Sequence, residues 1–318
     1  MTGTPGVPPA VGGGPADATT RVRQDGPVAV RDTVGSAAAG RGDPTVLARP
    51  GLAWRAERRP HGPATVAYRS VDVDVVEVAA WGPGAEQAVA AAPDVVGAGD
   101  DPSALRTDHP RLRELHRRHP GMRFGRLGPL GSLLPSIVLG QRVTGVEAAR
   151  SWRRLVHRWG EVAPGPGADL GLHVAPAPGV LARLAYHELH PLGVERRRAR
   201  TIAEVARHDR HIEALAVLPP VEAQAGLQTV PGVGPWTAGL AVQLGLGAPD
   251  VVVVGDLHLP SLVTWALAGE RRGTDDRMLE LLEPFAGQRA RVVRLLAAAG
   301  DHPPRRAPRA RIQPIARR

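Results

Sequence analysis

The 318-residue chain contains no cysteine and no lysine, so all 40 of its basic side chains are arginine. Without cysteine there is no disulfide framework, thiolate zinc site, iron–sulfur cluster, cysteine nucleophile or methyl-accepting thiol. Without lysine there is no side-chain Schiff base, no lysine general base and no Walker-type phosphate lysine. Aromatic residues are scarce as well: six Trp, two Tyr and two Phe. No run approaches the ~18–20 apolar residues of a membrane span. The N-terminus also lacks the basic-then-apolar order of a secretory signal. These absences set the expectation of a cytoplasmic protein with no membrane partner.

The formal net charge is +9, from 40 basic against 31 acidic side chains. Such an excess favours a polyanionic partner, nucleic acid before membrane. The length suggests two domains, and 43% hydrophobic residues suffice for a substantial core.

Composition divides the chain. Residues 1–44 hold 15 Gly or Pro and few large apolar side chains, which reads as a disordered leader. Residues 45–108 read as a small α/β lobe with an antiparallel sheet. Within it, ATVAYRSVDVDVVEV (64–78) alternates in period two, with Val71, Val73 and Val75 opposite Asp72 and Asp74, as half-buried strands do. A short helix over about 84–92 comes next. From 109 to 300 the pattern is helical. Thr144–Glu147 is a capping-box signature opening a helix with Ala148, Trp152, Leu155 and Trp159 at helical spacing. Pro191–Gly193 breaks the chain before a helix over 195–208. Residues 301–318, with six Arg and four Pro, read as a basic tail. The fold class expected is mainly α with a small N-terminal α/β lobe.

The segment LQTVPGVGPWTA (227–238) carries the most information. Pro231 ends one helix, Gly232 and Gly234 allow a tight turn with unobstructed backbone, and Pro235 suits the first position of the next helix. A helix–hairpin–helix results. Its free amides and positive dipole end suit a phosphate, read without regard to sequence. A plain connecting turn is the other reading. Downstream, Asp256 follows the apolar run Val251–Val254 and Gly255 and precedes a helical stretch. It therefore sits at the mouth of a buried segment, where a helix N-terminus favours its ionised form. Taken by itself, such a carboxylate reads first as a helix N-cap without chemistry, and it can also stabilise a developing positive charge and orient water.

LQTVPGVGPWTA followed by VVVVGDLHL resembles the signature of the HhH-GPD DNA glycosylase superfamily, in particular the DNA-3-methyladenine glycosylase II branch that removes alkylated bases. The 20-residue spacing from Trp236 to Asp256 matches that branch. LLPSIVLGQRVTGVEAA and PLGVERRRARTIAEVA resemble two further segments in the same order, so the likeness covers roughly 120–300. The resemblance implies a helix-hairpin-helix glycosylase fold for 109–300. It makes Asp256 the catalytic carboxylate, Trp236 and Leu240 base-pocket residues, and Gly232, Val233 and Gly234 the phosphate-binding hairpin. Gln141 and Arg142 take the place of the residues that fill the gap left by a flipped base. The carbonyls of Gln228, Val230 and Val233 match positions that hold a structural monovalent cation, Na⁺ or K⁺, in some members. No other cofactor is implied, and neither zinc nor an iron–sulfur cluster.

The chain departs from the branch at two places. Arg142 stands where an aliphatic wedge is usual, and Leu240 where an aromatic is usual. The Schiff-base lysine of strand-cutting members aligns with Trp236. The expectation is a monofunctional glycosylase using water, acting as a monomer on double-stranded DNA carrying a damaged base, at the nucleoid. The alternatives are a glycosylase for an oxidised or deaminated base, and a DNA-binding protein that has lost catalysis. Arg196, Arg197, Arg198 and Arg200 are read as phosphate contacts, and the basic tail as non-specific affinity. His116, His119, His187, His190 and His258 have no metal-ligand spacing.

Overall fold

A computed structural model describes residues 14–303. The expected tail falls largely outside them, as does the start of the leader. The leader's remainder is folded. Strand β1 (Ala18–Arg23) pairs antiparallel with β5 (Val75–Trp81), from Ala18 opposite Ala80 to Arg23 opposite Val75. Val28, Val30 and Val34 are buried in the core of the lobe. The reason lies in averaging: 9 of the 15 Gly and Pro of residues 1–44 fall in residues 1–15. Residues 16–44 have ordinary composition, and they are stabilised by a sheet edge supplied from far along the chain.

The sheet is completed by β2 (Val46–Arg49), β3 (Leu52–Arg59) and β4 (Gly62–Ser70), in the order β1-β5-β4-β3-β2, each pair antiparallel. Period-two alternation sends Ala64, Val66, Tyr68, Val76, Val78 and Ala80 to one face, under helix α1 (Ala85–Ala90). Trp54, Ala56, Ala67, Ala79 and Trp81 lie on the other, where Trp54 and Trp81 stack with centroids 5.7 Å apart. This second face packs on Ala163, Leu172 and Val174 of the helical body. The expected strand across 71–74 is instead the tip of the β4–β5 hairpin, with Val71 and Val73 exposed. Alternation there reflects a loop of mixed composition and not a buried face.

The helical body has two packed centres. The first joins α3 (Leu130–Leu139), α4 (Gly145–Trp159), α5 (Arg196–Arg207), α6 (Asp209–Ala214), α7 (Pro220–Leu227) and α8 (Pro235–Gly245). The capping box at Thr144 is formed in both directions: Glu147 N donates to Thr144 Oγ1, and Thr144 N to Glu147 Oε2. The second centre joins α2 (Pro110–Arg118) with α9 (Leu259–Ala268), α10 (Asp275–Leu282) and α11 (Arg289–Ala299). The run 251–254 bridges the two, with Val251 in the first and Val252 and Val254 against the second. Asp256 therefore emerges at the seam between two rigid halves. The lobe is tied to the first half by Trp152 Nε1, which donates to Asp43 Oδ1 at 3.1 Å, and by Arg55, which donates to the Leu127 carbonyl.

Candidate active site

The turn 228–234 lies between α7 and α8. Its apolar residues Val230 and Val233 are buried in the first packed centre, while Pro231 and Gly232 are exposed. The hairpin is anchored by side chains and offers backbone. Gly232 adopts φ +88°, a left-handed conformation that side-chain-bearing residues rarely take. A Cβ there would overlap Thr201 Oγ1 and lie 2.9 Å from both Thr201 Cβ and Cγ2. Gly234, at the N-cap of α8, has ordinary extended angles, and nothing lies within 4 Å of where its Cβ would stand. The two glycines thus differ in purpose: the first is required by packing, the second leaves open space in front of a helix N-terminus.

Asp256 is partly buried and fully engaged. Its Oδ2 accepts from Trp236 Nε1 at 2.9 Å, and its Oδ1 accepts from the amides of His258 at 2.7 Å and Leu259 at 3.0 Å. One oxygen holds the backbone that leads into α9, whose N-cap is His258, and the indole fixes the other. Trp236 spans from Asp256 to the end of α3, where its Cη2 lies 3.2 Å from the place of a Cβ on Gly140. Leu240 is half-buried one turn further along α8, packed on the first centre with Trp236.

Gln141 is held by the hairpin. Its Nε2 donates to the Gly232 carbonyl at 3.1 Å and to Thr237 Oγ1 at 2.9 Å. This ties the end of α3 to the turn. Arg142 is exposed and has φ +55°, the single positive-φ non-glycine among the described residues. Arg142 thus lies exposed in the turn that follows α3, next in sequence to the hairpin-bound Gln141. Of the candidate cation carbonyls, that of Val230 accepts from Val233 N at 3.0 Å.

The cluster 196–200 divides in two. Arg197 and Arg200 are exposed, and Arg196 lies over the Tyr186 ring at 4.5 Å. Arg198, by contrast, is among the most buried side chains of the protein. It donates from Nη1 to the Leu139 carbonyl at 2.8 Å and from Nη2 to the Gly193 carbonyl at 3.1 Å, and burial pulls its pKa below the usual arginine value. It is a structural rivet at the end of α3 and cannot be a phosphate contact. The apolar spacing of α5 would have revealed this, since Arg198 lies one turn before Ile202 on the buried stripe. Thr201 and Thr237 were invisible in the sequence, because each acts through a contact with a segment distant along the chain.

Residues 136–286 match the sequence profile HhH-GPD, described as HhH-GPD superfamily base excision DNA repair protein. Over 152 residues, 47% of this chain, the sequence is 31% identical to a probable bifunctional transcriptional activator/DNA repair enzyme AlkA of Mycobacterium tuberculosis. The chain spans about 30% of the length of that curated relative. Among solved structures, a 3-methyladenine DNA glycosylase from Archaeoglobus fulgidus superposes with TM-score 0.73 at 20% identity, covering 89% of this chain and 98% of the other. An 8-oxoguanine glycosylase/lyase from Clostridium acetobutylicum superposes with TM-score 0.63 at 13% identity, covering 90% and 99%. At these identities the superpositions establish a shared fold, N-terminal lobe included.

Proposed function

We propose that this chain, whose residues 136–286 match the HhH-GPD superfamily of base excision DNA repair proteins, is a monofunctional DNA glycosylase that hydrolyses the N-glycosidic bond of alkylated bases of the 3-methyladenine type. The observation that carries the reading is the fixed carboxylate. Asp256 is locked by Trp236 Nε1, 20 residues before it, and by two backbone amides, beside a hairpin that leaves open space at Gly234.

The chemistry follows from that arrangement. The amides of the turn and the N-terminus of α8 hold a backbone phosphate, which sets the register of the duplex without reading bases. The target nucleotide leaves the stack, and Arg142 covers the gap with a planar guanidinium. As the bond from C1′ to the base breaks, the electron pair leaves with the base and positive charge builds on the sugar. Asp256 stabilises that charge and directs a water to C1′, and the water's proton passes to the carboxylate. An alkylated purine is already cationic and departs as a neutral base, so it needs little help from the pocket. Trp236 offers the site an aromatic face, which attracts a cationic base. A monovalent cation at the carbonyls of Gln228, Val230 and Val233 would steady the turn. The protein is proposed to act as a monomer at the nucleoid. Among the described residues no helix is long and apolar enough to cross a membrane.

Strand cleavage by a lysine Schiff base is not open to this chain, whose hairpin carries Trp236 where strand-cutting relatives carry lysine. Borohydride should trap no covalent complex with lesion-bearing DNA, and a trapped complex would refute the monofunctional assignment. The function itself is tested on duplexes with single defined lesions: alkylated, deaminated and oxidised purines, followed by alkaline cleavage of abasic sites. Release from the alkylated purine, falling by ~10²-fold or more in Asp256→Asn, is the expected result. Release only from an oxidised or deaminated base would move the substrate class. No release from any lesion would leave a DNA-binding protein.

A further inference from the structure

The residue preceding the proposed catalytic carboxylate is itself held by a second aspartate. Gly255 has φ +78°, and its amide donates to Asp275 Oδ2 at 2.8 Å. Asp275 opens α10, yet the helix does not depend on it for capping, since Thr274 accepts from the Arg277 amide at 3.2 Å. Its carboxylate serves the loop in front of the helix instead. Its other oxygen, Oδ1, is shut off from solvent and has no hydrogen-bond partner. An unsatisfied buried oxygen is unfavourable, and a helix start only partly offsets it by stabilising the charge. A carboxylate retained under those conditions points to work done by its bonded oxygen.

That work is legible in the loop. Residues 255–258 have no regular structure, and Gly255, Leu257 and His258 are exposed. Asp256 is tied by its own side chain to α8, through Trp236, and to the start of α9. These bonds fix the carboxylate group but not the peptide it hangs from. The bond from Gly255 to Asp275 fixes that peptide against α10, a helix packed in the second centre. We infer that Asp275 is a positioning residue for Asp256: it holds the Gly255 amide, and with it the carboxylate's place against C1′ of an extruded nucleotide. The inference rests on the glycosylase reading above.

The test uses the full chain and three proteins: wild type, Asp275→Ala and Asp275→Asn. Asparagine keeps an acceptor for the Gly255 amide and removes the charge. The single-turnover rate of base release from a duplex with one alkylated purine is measured beside equilibrium binding to a duplex with a stable abasic-site analogue. A displacement of ~1 Å at a reacting group costs on the order of 10²-fold in rate. Asp275→Ala should therefore slow release by ~10–100-fold with binding changed less than about twofold, and Asp275→Asn should recover most of the rate. Equal rates in wild type and Asp275→Ala, an Asn variant as slow as the Ala variant, or binding that falls in step with rate would each overturn the inference. Amide hydrogen exchange of the peptide containing Gly255 is read in parallel. It should quicken in Asp275→Ala and not in Asp275→Asn, and unchanged exchange in the Ala variant would overturn the tether. If wild type releases no base from any lesion, the glycosylase reading fails, while the exchange result still decides whether Asp275 holds the loop.

Discussion

Gly232 and Gly234 stand two residues apart in one turn and should fail in different ways. In Gly232→Ala, the backbone at φ +88° puts an L side chain in the left-handed region, at a cost of about 1–2 kcal/mol. The new methyl also overlaps Thr201 Oγ1 and crowds Thr201 Cβ and Cγ2, and overpacking of this kind costs about 1–3 kcal/mol. Alanine returns a few tenths to ~1 kcal/mol by restricting the unfolded chain, so the net loss should be about 2–4 kcal/mol. The steric part is separable. Thr201→Ala removes Oγ1 and Cγ2 but also the bond from Oγ1 to the Arg197 carbonyl, so alone it destabilises. The double variant should be more stable than the sum of the singles by ~1–2 kcal/mol, leaving the backbone term behind.

Gly234→Ala meets neither obstacle: its φ is −95° and its Cβ points into open space. Its stability should stay within ~0.5 kcal/mol of wild type. That open space is where a phosphate would approach, so DNA affinity should fall by about tenfold, the equivalent of ~1.4 kcal/mol. The slope of log affinity against log salt should stay unchanged, because a backbone amide neutralises no phosphate charge. Urea unfolding and salt-titrated binding to an abasic-analogue duplex read the two effects. If Gly234→Ala lost stability while Gly232→Ala did not, or if Gly234→Ala bound DNA as well as wild type, the two glycines would not divide packing from phosphate contact.

Trp236→Phe removes the indole donor to Asp256 and keeps most of the ring. A hydrogen bond to a charged group is worth about 1.5–3 kcal/mol, so base release should slow by ~10-fold or more while the fold stays intact; an unchanged rate would mean the indole does not position the carboxylate. Arg198→Met should cost ~2–4 kcal/mol by urea unfolding, because it leaves the Leu139 and Gly193 carbonyls without their buried donor, and a neutral effect would contradict the rivet. Glu213 accepts from the Gly131 amide at 2.6 Å at the start of α3, and burial pushes its pKa up, with Asp209 beside it adding to the shift. A carboxyl whose folded pKa is raised contributes stability below its unfolded pKa and loses it as pH rises through the folded value. Glu213→Gln should therefore melt above wild type at pH 7.5, with the gap closing near pH 4; a gap that widens on acidification would refute the burial argument.

What the sequence could show divides along a physical line. The hairpin, Asp256 and the capping box at Thr144 were legible because each is a local device, built from residues within a turn or two whose backbone needs are written in their types. Strand β1 was hidden because its stability comes from β5, some 55 residues away, and composition averaged over 44 residues cannot register a pairing partner. Arg198 was misread because arginine normally marks a solvated face. Its burial is offset by two carbonyls on segments that no spacing rule connects to it. The bonds from Gln141 to the hairpin cross 91 and 96 residues, a pairing that no local pattern registers.

The case of Asp256 bears on how such sites should be read. Taken alone, an aspartate before a helix is most economically a cap; here the N-cap of α9 is His258, and Asp256 Oδ1 holds the amides of His258 and Leu259 from two residues further back. Anchoring that backbone alone, however, has no use for a second, remote donor at the other oxygen. Trp236 Nε1 supplies one from across the seam between the two packed centres. A carboxylate that must face a developing cation needs to be ionised and immobile before the reaction begins. The two amides hold one oxygen and the indole holds the other, which removes the remaining rotation. Anchoring the backbone ahead of α9 is therefore compatible with the catalytic role proposed for this residue. The Asp256→Asn variant separates the two roles. Asparagine keeps a side-chain carbonyl to accept from the His258 and Leu259 amides, so stability should change by no more than ~0.5 kcal/mol. Base release should nevertheless be lost, and a variant that lost both together would show backbone anchoring to be the whole of its role.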